Sequence, residues 1–196
     1  FFRMGDFYEL FHEDAIVASR ALGLTLTSRS KGSPQPIPMA GVPVRAVDSY
    51  LLRLVKQGHK VAICEQLQDP REAKGIVERG IVRVVTPGTL SEENALDARA
   101  SNYLASLVLV NGRAGLAWVE LSTGRMQGCE LDQARVLDEL ARLAPSELLV
   151  APELLEQRAD WKTELTERMG VALTEREAWR FGADGALRAL TRHFRV

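Results

Sequence analysis

The sequence predicts an α/β protein with two domains, and three observations lead to this prediction. Its 196 residues exceed an average domain and suit two small ones. In the first half, apolar strand patterns alternate with helical patterns, as is typical of an α/β domain. Proline, glycine and acidic residues gather at 87–97, which indicates a linker. We therefore expect domains at 1–86 and 98–196.

The first domain opens with a predicted β-hairpin, in which FFRM and FYEL flank a Gly5-Asp6 turn. A helix is expected at 12–22, because apolar residues recur at helical spacing and Gly23 follows. LTLTSR alternates like a strand. The proline- and glycine-rich segment at 30–43 predicts a loop.

A second helix is expected from Val47 until Gly58 stops it. KVAICEQL and GIVRVVT then predict two buried strands, separated by the polar segment QDPREAKGIVERG. Together with the hairpin, these elements predict a small mixed sheet covered by helices.

The second domain opens with a predicted antiparallel meander of NYLASLVLV, AGLAWVELS and RMQGCEL, with turns at Asn111-Gly112 and Thr123-Gly124. Asp132 is expected to cap the helix QARVLDELARL. The strand SELLVA, a helical or irregular stretch and an amphipathic helix around GALRALTRHF follow. Meander, helix, strand and helix are the order of a ribonuclease H-like fold.

Composition and cysteine content indicate an ordinary globular protein, with 46% hydrophobic and 26% charged residues. No run of about 18 apolar residues and no signal peptide occurs, so we expect a cytoplasmic protein. Cys64 and Cys129 have no metal-ligand or disulfide spacing and are both expected in the core. Because no initiator Met is present, the chain is expected to be part of a longer protein.

Motifs for catalysis are sparse. The sequence has no P-loop and no nucleophile elbow, and its three histidines are scattered. A ribonuclease H-like nuclease would hold two metals with three or four carboxylates. The predicted meander offers Glu120 and Glu130, with Glu120 alone near the centre of the sheet. We therefore predict a binding or connecting domain with no metal site, and keep a metal-dependent nuclease as the alternative.

The strand DFYEL raises two alternatives. Side chains alternate along a strand, so Phe7 and Glu9 share one face, roughly 7 Å apart, while Tyr8 and Leu10 share the other. An exposed ring with an acceptor two residues away would suit a nucleobase. Alternatively, Phe7 packs under the helix and Glu9 pairs with an arginine such as Arg3. Spacing alone leaves both interpretations open.

Several segments closely resemble the MutS family of DNA mismatch-recognition proteins. They are FFRMGDFYELFHEDA, PIPMAGVP, VAICEQLQDP and RVVTPGT, in the family's order and at similar separations. The resemblance covers the whole chain. It implies that residues 1–86 are the mismatch-recognition domain and residues 98–196 the connector domain of that family.

The resemblance implies roles for the motif that contains Phe7 and Glu9. In that family the phenylalanine wedges into the minor groove and stacks on a mispaired or unpaired base, and the glutamate hydrogen-bonds to the same base. Unstacking costs less where pairing is already faulty, so a wedge selects mismatches through deformability. The Glu9 charge would also penalise binding to intact duplex.

Other DNA contacts are implied with it. Pro38 and Met39 resemble the loop that lies along the minor groove near the lesion. Four basic residues are expected to meet phosphates or the groove: Arg29, Lys31, Lys74 and Arg79. Residues 1–86 hold 12 basic and 9 acidic side chains, a net charge of +3 that agrees with this expectation. Ile76 stands where some relatives carry proline, which leaves the path of that loop open.

The resemblance also implies partners. The first domain would bind double-stranded DNA with mismatches or small loops, and the connector would contact MutL or serve chiefly as a docking module. ATP and Mg belong to the family's ATPase domain, which this chain lacks, so we expect no cofactor and no catalysis here. The full-length protein is expected to be a homodimer at the bacterial nucleoid, with no membrane partner.

Overall fold

A computed structural model describes residues 1–30, 32, 34–69, 71, 73, 75–90 and 101–195. The chain forms two compact units, Phe1–Pro87 and Gly88–Val196, called unit 1 and unit 2 below. Most of the predicted linker at 87–97 lies outside the described residues. None of the helices within those ranges has the length and apolar character needed to cross a membrane.

Unit 1 is built on a six-stranded sheet in the order β3-β4-β2-β1-β5-β6. The strands are β1 Phe2–Met4, β2 Phe7–Phe11, β3 Thr27–Arg29, β4 Ile37–Pro43, β5 Val61–Gln66 and β6 Arg79–Val85. The helices are α1 His12–Leu22 and α2 Val47–Lys56. β1 pairs with β5 in parallel and with β2 antiparallel, so the sheet is mixed, as predicted.

Local sequence signals place the hairpin and the helix ends where they were predicted. Gly5 has a φ of 60° at the first turn position, a conformation that glycine adopts without strain. Gly23 ends α1 with a φ of 70° and donates its N–H to the Ser19 carbonyl. One face of the sheet is covered, and its buried side chains include Tyr8, Leu10, Ala40, Val42, Val61 and Ile63.

The loop predicted at 30–43 is wrong in its second half, where β4 pairs with both β2 and β3. Pro38 and Pro43 lie near the ends of the strand, and the stretch between them, residues 39–42, keeps its N–H groups for pairing. Tertiary pairing therefore overrides the high proline and glycine content.

The prediction of buried strands holds for β5 and is wrong for β6. Ile81, Val82 and Val84 are all more than half exposed, whereas Val85 is buried. β6 pairs with β5 at the edge of the sheet, with a bulge opposite Ile63, so fewer neighbouring side chains cover it.

Unit 2 has the predicted ribonuclease H-like arrangement, a five-stranded sheet in the order β11-β10-β7-β8-β9. The strands are β7 Tyr103–Val110, β8 Arg113–Glu120, β9 Arg125–Asp132, β10 Glu147–Val150 and β11 Ala172–Glu175. β7, β8 and β9 form the antiparallel meander, and β10 pairs in parallel with β7 and β11. The helices are α3 Val136–Leu143, α4 Pro152–Gln157, α5 Ala159–Thr163 and α6 Ala183–Phe194.

Three details of unit 2 differ from the sequence predictions. The short strand β11 was not predicted as a strand. Asp132 does not cap the following helix, because its carboxylate pairs with Arg113. Cys129 is exposed rather than in the core, since β9 is an edge strand, while Cys64 is buried as expected.

Candidate nucleic-acid interface

The alternation predicted for β2 is present in the structure. The Phe7 side chain is 48% exposed, while Tyr8 and Leu10 are 5% and 8% exposed. Phe7 is the first residue after the hairpin turn, and it lies opposite Met4 on β1 and Pro43 on β4. The ring therefore stands in water at the end of a strand that is paired on both sides.

Glu9 lies on the same face as Phe7 and is half-buried. Its neighbours across the sheet are Phe2 on β1 and Gly41 on β4. Within the described residues, its carboxylate has neither an ion-pair nor a hydrogen-bond partner. A half-buried carboxylate without a partner is costly, which makes it available to an external donor.

The alternative in which Glu9 pairs with Arg3 is wrong. Arg3 lies opposite Tyr8, which points to the covered face, so its side chain is on the other side of the sheet from Glu9. Its guanidinium lies 4.0 Å from the Glu65 carboxylate and 5.4 Å from the centre of the Tyr8 ring. The exposure of Phe7 likewise excludes its packing under a helix within unit 1.

Gly41 belongs to this face, although it was not among the predicted site residues. A Cβ at this position would lie 3.3 Å from the Tyr8 carbonyl and 3.7 Å from Glu9 Cγ. The glycine therefore leaves the side of Glu9 uncovered, where another molecule could approach the backbone closely. A glycine inside a strand pattern is the signal that could have identified it.

Further aromatic and basic side chains extend this face away from Phe7. The rings of Phe2 and Phe11 meet edge to face, with centroids 6.5 Å apart. The Arg29 guanidinium lies 5.8 Å from the centre of the Phe11 ring. Phe2, Phe11 and Glu9 line an open groove of about 480 Å³. Arg29 is thus a predicted basic residue that the fold brings to the same face as Phe7 and Glu9.

Met39 and Pro38 take different positions relative to this face. Met39 pairs with Phe11 and lies on the face that carries Phe7, at the far end of β2. Four residues of strand separate its register from that of Phe7, which corresponds to about 13 Å. Pro38 pairs with Ser28 and points to the opposite side by alternation.

Arg79 is used within the fold. Its Nε donates to the Arg3 carbonyl at 2.9 Å and its Nη1 donates to the Val77 carbonyl at 2.8 Å. Its guanidinium also lies 5.7 Å from the centre of the Phe2 ring. The contact with Arg3 ties the start of β6 to β1, which lies on the other side of β5. Lys31 and Lys74 lie outside the described residues.

Carboxylates in unit 2 are dispersed. Glu120 lies at the end of β8 and accepts a hydrogen bond from Thr123, and Glu130 pairs with Arg113. Glu147 is buried, and it accepts hydrogen bonds from the Gly88 amide and the Thr174 hydroxyl. Across the described ranges, no group of three or more His, Cys, Asp and Glu side chains is arranged to hold a metal ion.

Both units match models of known protein domains. The family model described as MutS domain I matches residues 1–94, and the model described as MutS domain II matches residues 102–196. The chain is 47% identical, over 201 aligned residues, to the DNA mismatch repair protein MutS of Paracoccus denitrificans. That alignment covers 100% of this chain and 22% of the relative, so the chain spans about a fifth of its relative's length. The chain therefore belongs to the MutS family and comprises the family's domains I and II.

Proposed function

We propose that unit 1 recognises mismatched and unpaired bases in double-stranded DNA, as part of DNA mismatch repair. Phe7 is the wedge that enters the minor groove and stacks on the faulty base, and Glu9 accepts a hydrogen bond from that base. The observation that supports this most directly is the half-exposed Phe7 ring beside the Glu9 carboxylate, which has no partner among the residues that the structure describes.

The energetics of this proposal favour faulty base pairs. Opening a paired base step costs a few kcal/mol, and less where pairing is already weak. Stacking of a base on an aromatic side chain stabilises the complex by about 1–3 kcal/mol. The gain therefore exceeds the cost at a mismatch and not at an intact pair. Sequence does not enter this balance, so the wedge selects weak pairing in any sequence context.

Glu9 adds to the discrimination between mismatched and paired DNA. A carboxylate near phosphates is repelled, and its desolvation is costly unless a donor replaces the lost water. An unpaired base offers a donor on its edge, whereas a paired base uses its donors within the duplex. Four basic residues would supply the positive charge that holds the backbone: Arg29, Lys31, Lys74 and Arg79.

The wedge is tested in the full-length protein by Phe7→Ala. We expect selective mismatch binding to be lost while affinity for paired DNA changes little, because the ring acts only where a base can be unstacked. The measurement is the ratio of Kd values for mismatched and paired duplexes of the same sequence. Val84→Ala is the control, since Val84 is about as exposed as Phe7 on β6 of the same sheet and does not line the groove beside Glu9. Unchanged selectivity in Phe7→Ala would refute the wedge.

Glu9→Ala tests the discriminating charge in the same assay. We expect affinity for paired DNA to rise more than affinity for the mismatch, because the repulsion is removed in both complexes and the base contact is lost in one. An equal loss of affinity on both duplexes would exclude this role. Glu9→Gln, which keeps an acceptor and removes the charge, separates the two contributions.

For the whole protein, we propose an ATP-driven homodimer that acts in the bacterial cytoplasm on the nucleoid. Unit 2 serves as the connector and contacts MutL, while the chain described here carries no catalytic activity or cofactor of its own. Capture of MutL by the full-length protein, with and without residues 98–196, tests the contact. Equal capture by both forms would exclude it.

A further inference from the structure

A polar cluster lies behind the strand that carries Phe7, on the opposite face of the sheet. The buried Tyr8 side chain donates a hydrogen bond from its hydroxyl to the Glu65 carboxylate on β5. The Arg3 guanidinium lies against both groups, 5.4 Å from the Tyr8 ring centre and 4.0 Å from the carboxylate. Burial raises the pKa of Tyr8, and the hydrogen bond to Glu65 raises it further, so the phenol stays a donor at neutral pH.

The turn that precedes Phe7 is held by neighbours on two sides. The Gly5 N–H donates to the Gln66 side-chain oxygen at 3.1 Å, and the Gly5 carbonyl accepts from Arg3 Nε at 2.5 Å. The Asp6 carbonyl accepts from the Val44 N–H at 3.0 Å. Residues 65 and 66 of β5 thus hold the hairpin at two points, one in the turn and one at the first residue after Phe7.

A wedge needs such support. A two-stranded hairpin alone is marginally stable, and a mobile ring would lose conformational entropy each time it stacks on a base. Support from behind fixes the backbone of Phe7 before DNA arrives, so less of the stacking energy is lost to ordering. Four side chains provide this support and are called the brace: Arg3, Tyr8, Glu65 and Gln66.

We propose that the brace positions the Phe7 wedge and thereby sets the degree of mismatch discrimination. The brace makes no contact with the base and acts only through the backbone of β1 and β2. This inference rests on the proposed function of Phe7 as a stacking wedge. It adds that residues behind the strand that carries Phe7 determine how strongly mismatched DNA is preferred over paired DNA.

The test uses the full-length protein and a duplex with 2-aminopurine at the mismatched position, whose fluorescence reports stacking. Tyr8→Phe keeps the buried ring and removes the hydroxyl. We expect it to lower the ratio of mismatch to paired-DNA affinity about five- to tenfold, which is less than the full value of a hydrogen bond to a charged group, because the hydroxyl acts on the wedge only through the backbone. The 2-aminopurine signal should change, and affinity for paired DNA should stay constant. Tyr50→Phe on α2 is the matched control, expected to behave as the parent protein.

Variants of Glu65 separate positioning from general damage to the fold. Glu65→Gln keeps an acceptor for the Tyr8 hydroxyl and should retain most of the discrimination, whereas Glu65→Ala should match Tyr8→Phe. The double variant Tyr8→Phe with Glu65→Ala should be no worse than either change alone, because both remove the same contact. A general loss of folding would instead weaken binding to both duplexes.

The outcomes distinguish this inference from the function on which it rests. If Phe7→Ala abolishes discrimination while Tyr8→Phe changes neither the affinity ratio nor the 2-aminopurine signal, the brace inference is overturned and the wedge stands. If Phe7→Ala leaves discrimination unchanged, both are overturned. Additive effects of Tyr8→Phe and Glu65→Ala would also reject a shared brace.

Discussion

Replacing Phe7 with alanine should destabilise unit 1 much less than replacing Leu10, its neighbour on the same strand. A fully buried aromatic side chain covers about 150–250 Å². At 48% exposure, Phe7 covers about 100 Å². At about 25 cal/mol per Å², this area contributes about 2.5 kcal/mol, of which alanine retains about one third, so the loss is about 1.7 kcal/mol. Leu10 is 8% exposed, and truncating a buried leucine costs about 2–5 kcal/mol.

The assay follows the two units separately. The tryptophans, Trp118, Trp161 and Trp179, all lie in unit 2, so tryptophan fluorescence during urea unfolding reports that unit and controls for general damage. Amide hydrogen exchange in β2 and β4 reports the free energy of opening in unit 1.

The comparison has a clear refuting result. If Phe7→Ala costs as much as Leu10→Ala, or about 3 kcal/mol or more, the ring belongs to the core and the wedge interpretation loses its structural basis. A small cost for Phe7→Ala, combined with a large cost for Leu10→Ala, is the result that alternation along β2 requires.

Two further predictions concern a thiol and a glycine. A thiol reagent should label one cysteine per native chain rapidly, and Cys129→Ser should remove that phase, because Cys129 is exposed and Cys64 is buried. Partial desolvation of the sulfur and the nearby Glu139 carboxylate raise the pKa of Cys129, so its labelling rate should reach half its maximum at a higher pH than that of a cysteine in a short unstructured peptide; a midpoint at or below the peptide value would contradict this. Gly88→Ala should lower the free energy of unfolding of unit 2 by about 1–3 kcal/mol. Its Cβ would lie 2.8 Å from the Glu147 Cβ and 3.0 Å from Leu104, and an unchanged tryptophan-detected urea curve would disprove the clash.

Several features of the candidate site could be predicted from sequence because they depend on residues close together in the chain. The Gly5-Asp6 turn and the alternation of residues 7–10 place one ring and one carboxylate on the same face. The end of α1 at Gly23 follows from local conformational preference in the same way.

Other features depended on partners distant in the chain. Residues 37–43 form a strand because β2 and β3 pair with them, although their proline content predicts a loop. Arg79 is a basic residue in a polar segment, which predicts a phosphate contact. In the fold, two of its N–H groups donate to backbone carbonyls. Asp132 stands where a helix N-cap is expected, but its carboxylate forms an ion pair with Arg113 instead.

The sequence by itself determined the family, the two-domain α/β organisation, and the division of the wedge strand into an inward and an outward pair. Alternation and motif order carry this information, since both are properties of neighbouring residues. The tertiary structure alone decided that Phe7 stands in water, that Glu9 has no partner among the described residues, and that Tyr8 meets a carboxylate 57 residues away. Exposure and pairing depend on which surfaces the folded chain brings together, and chain neighbours do not specify them.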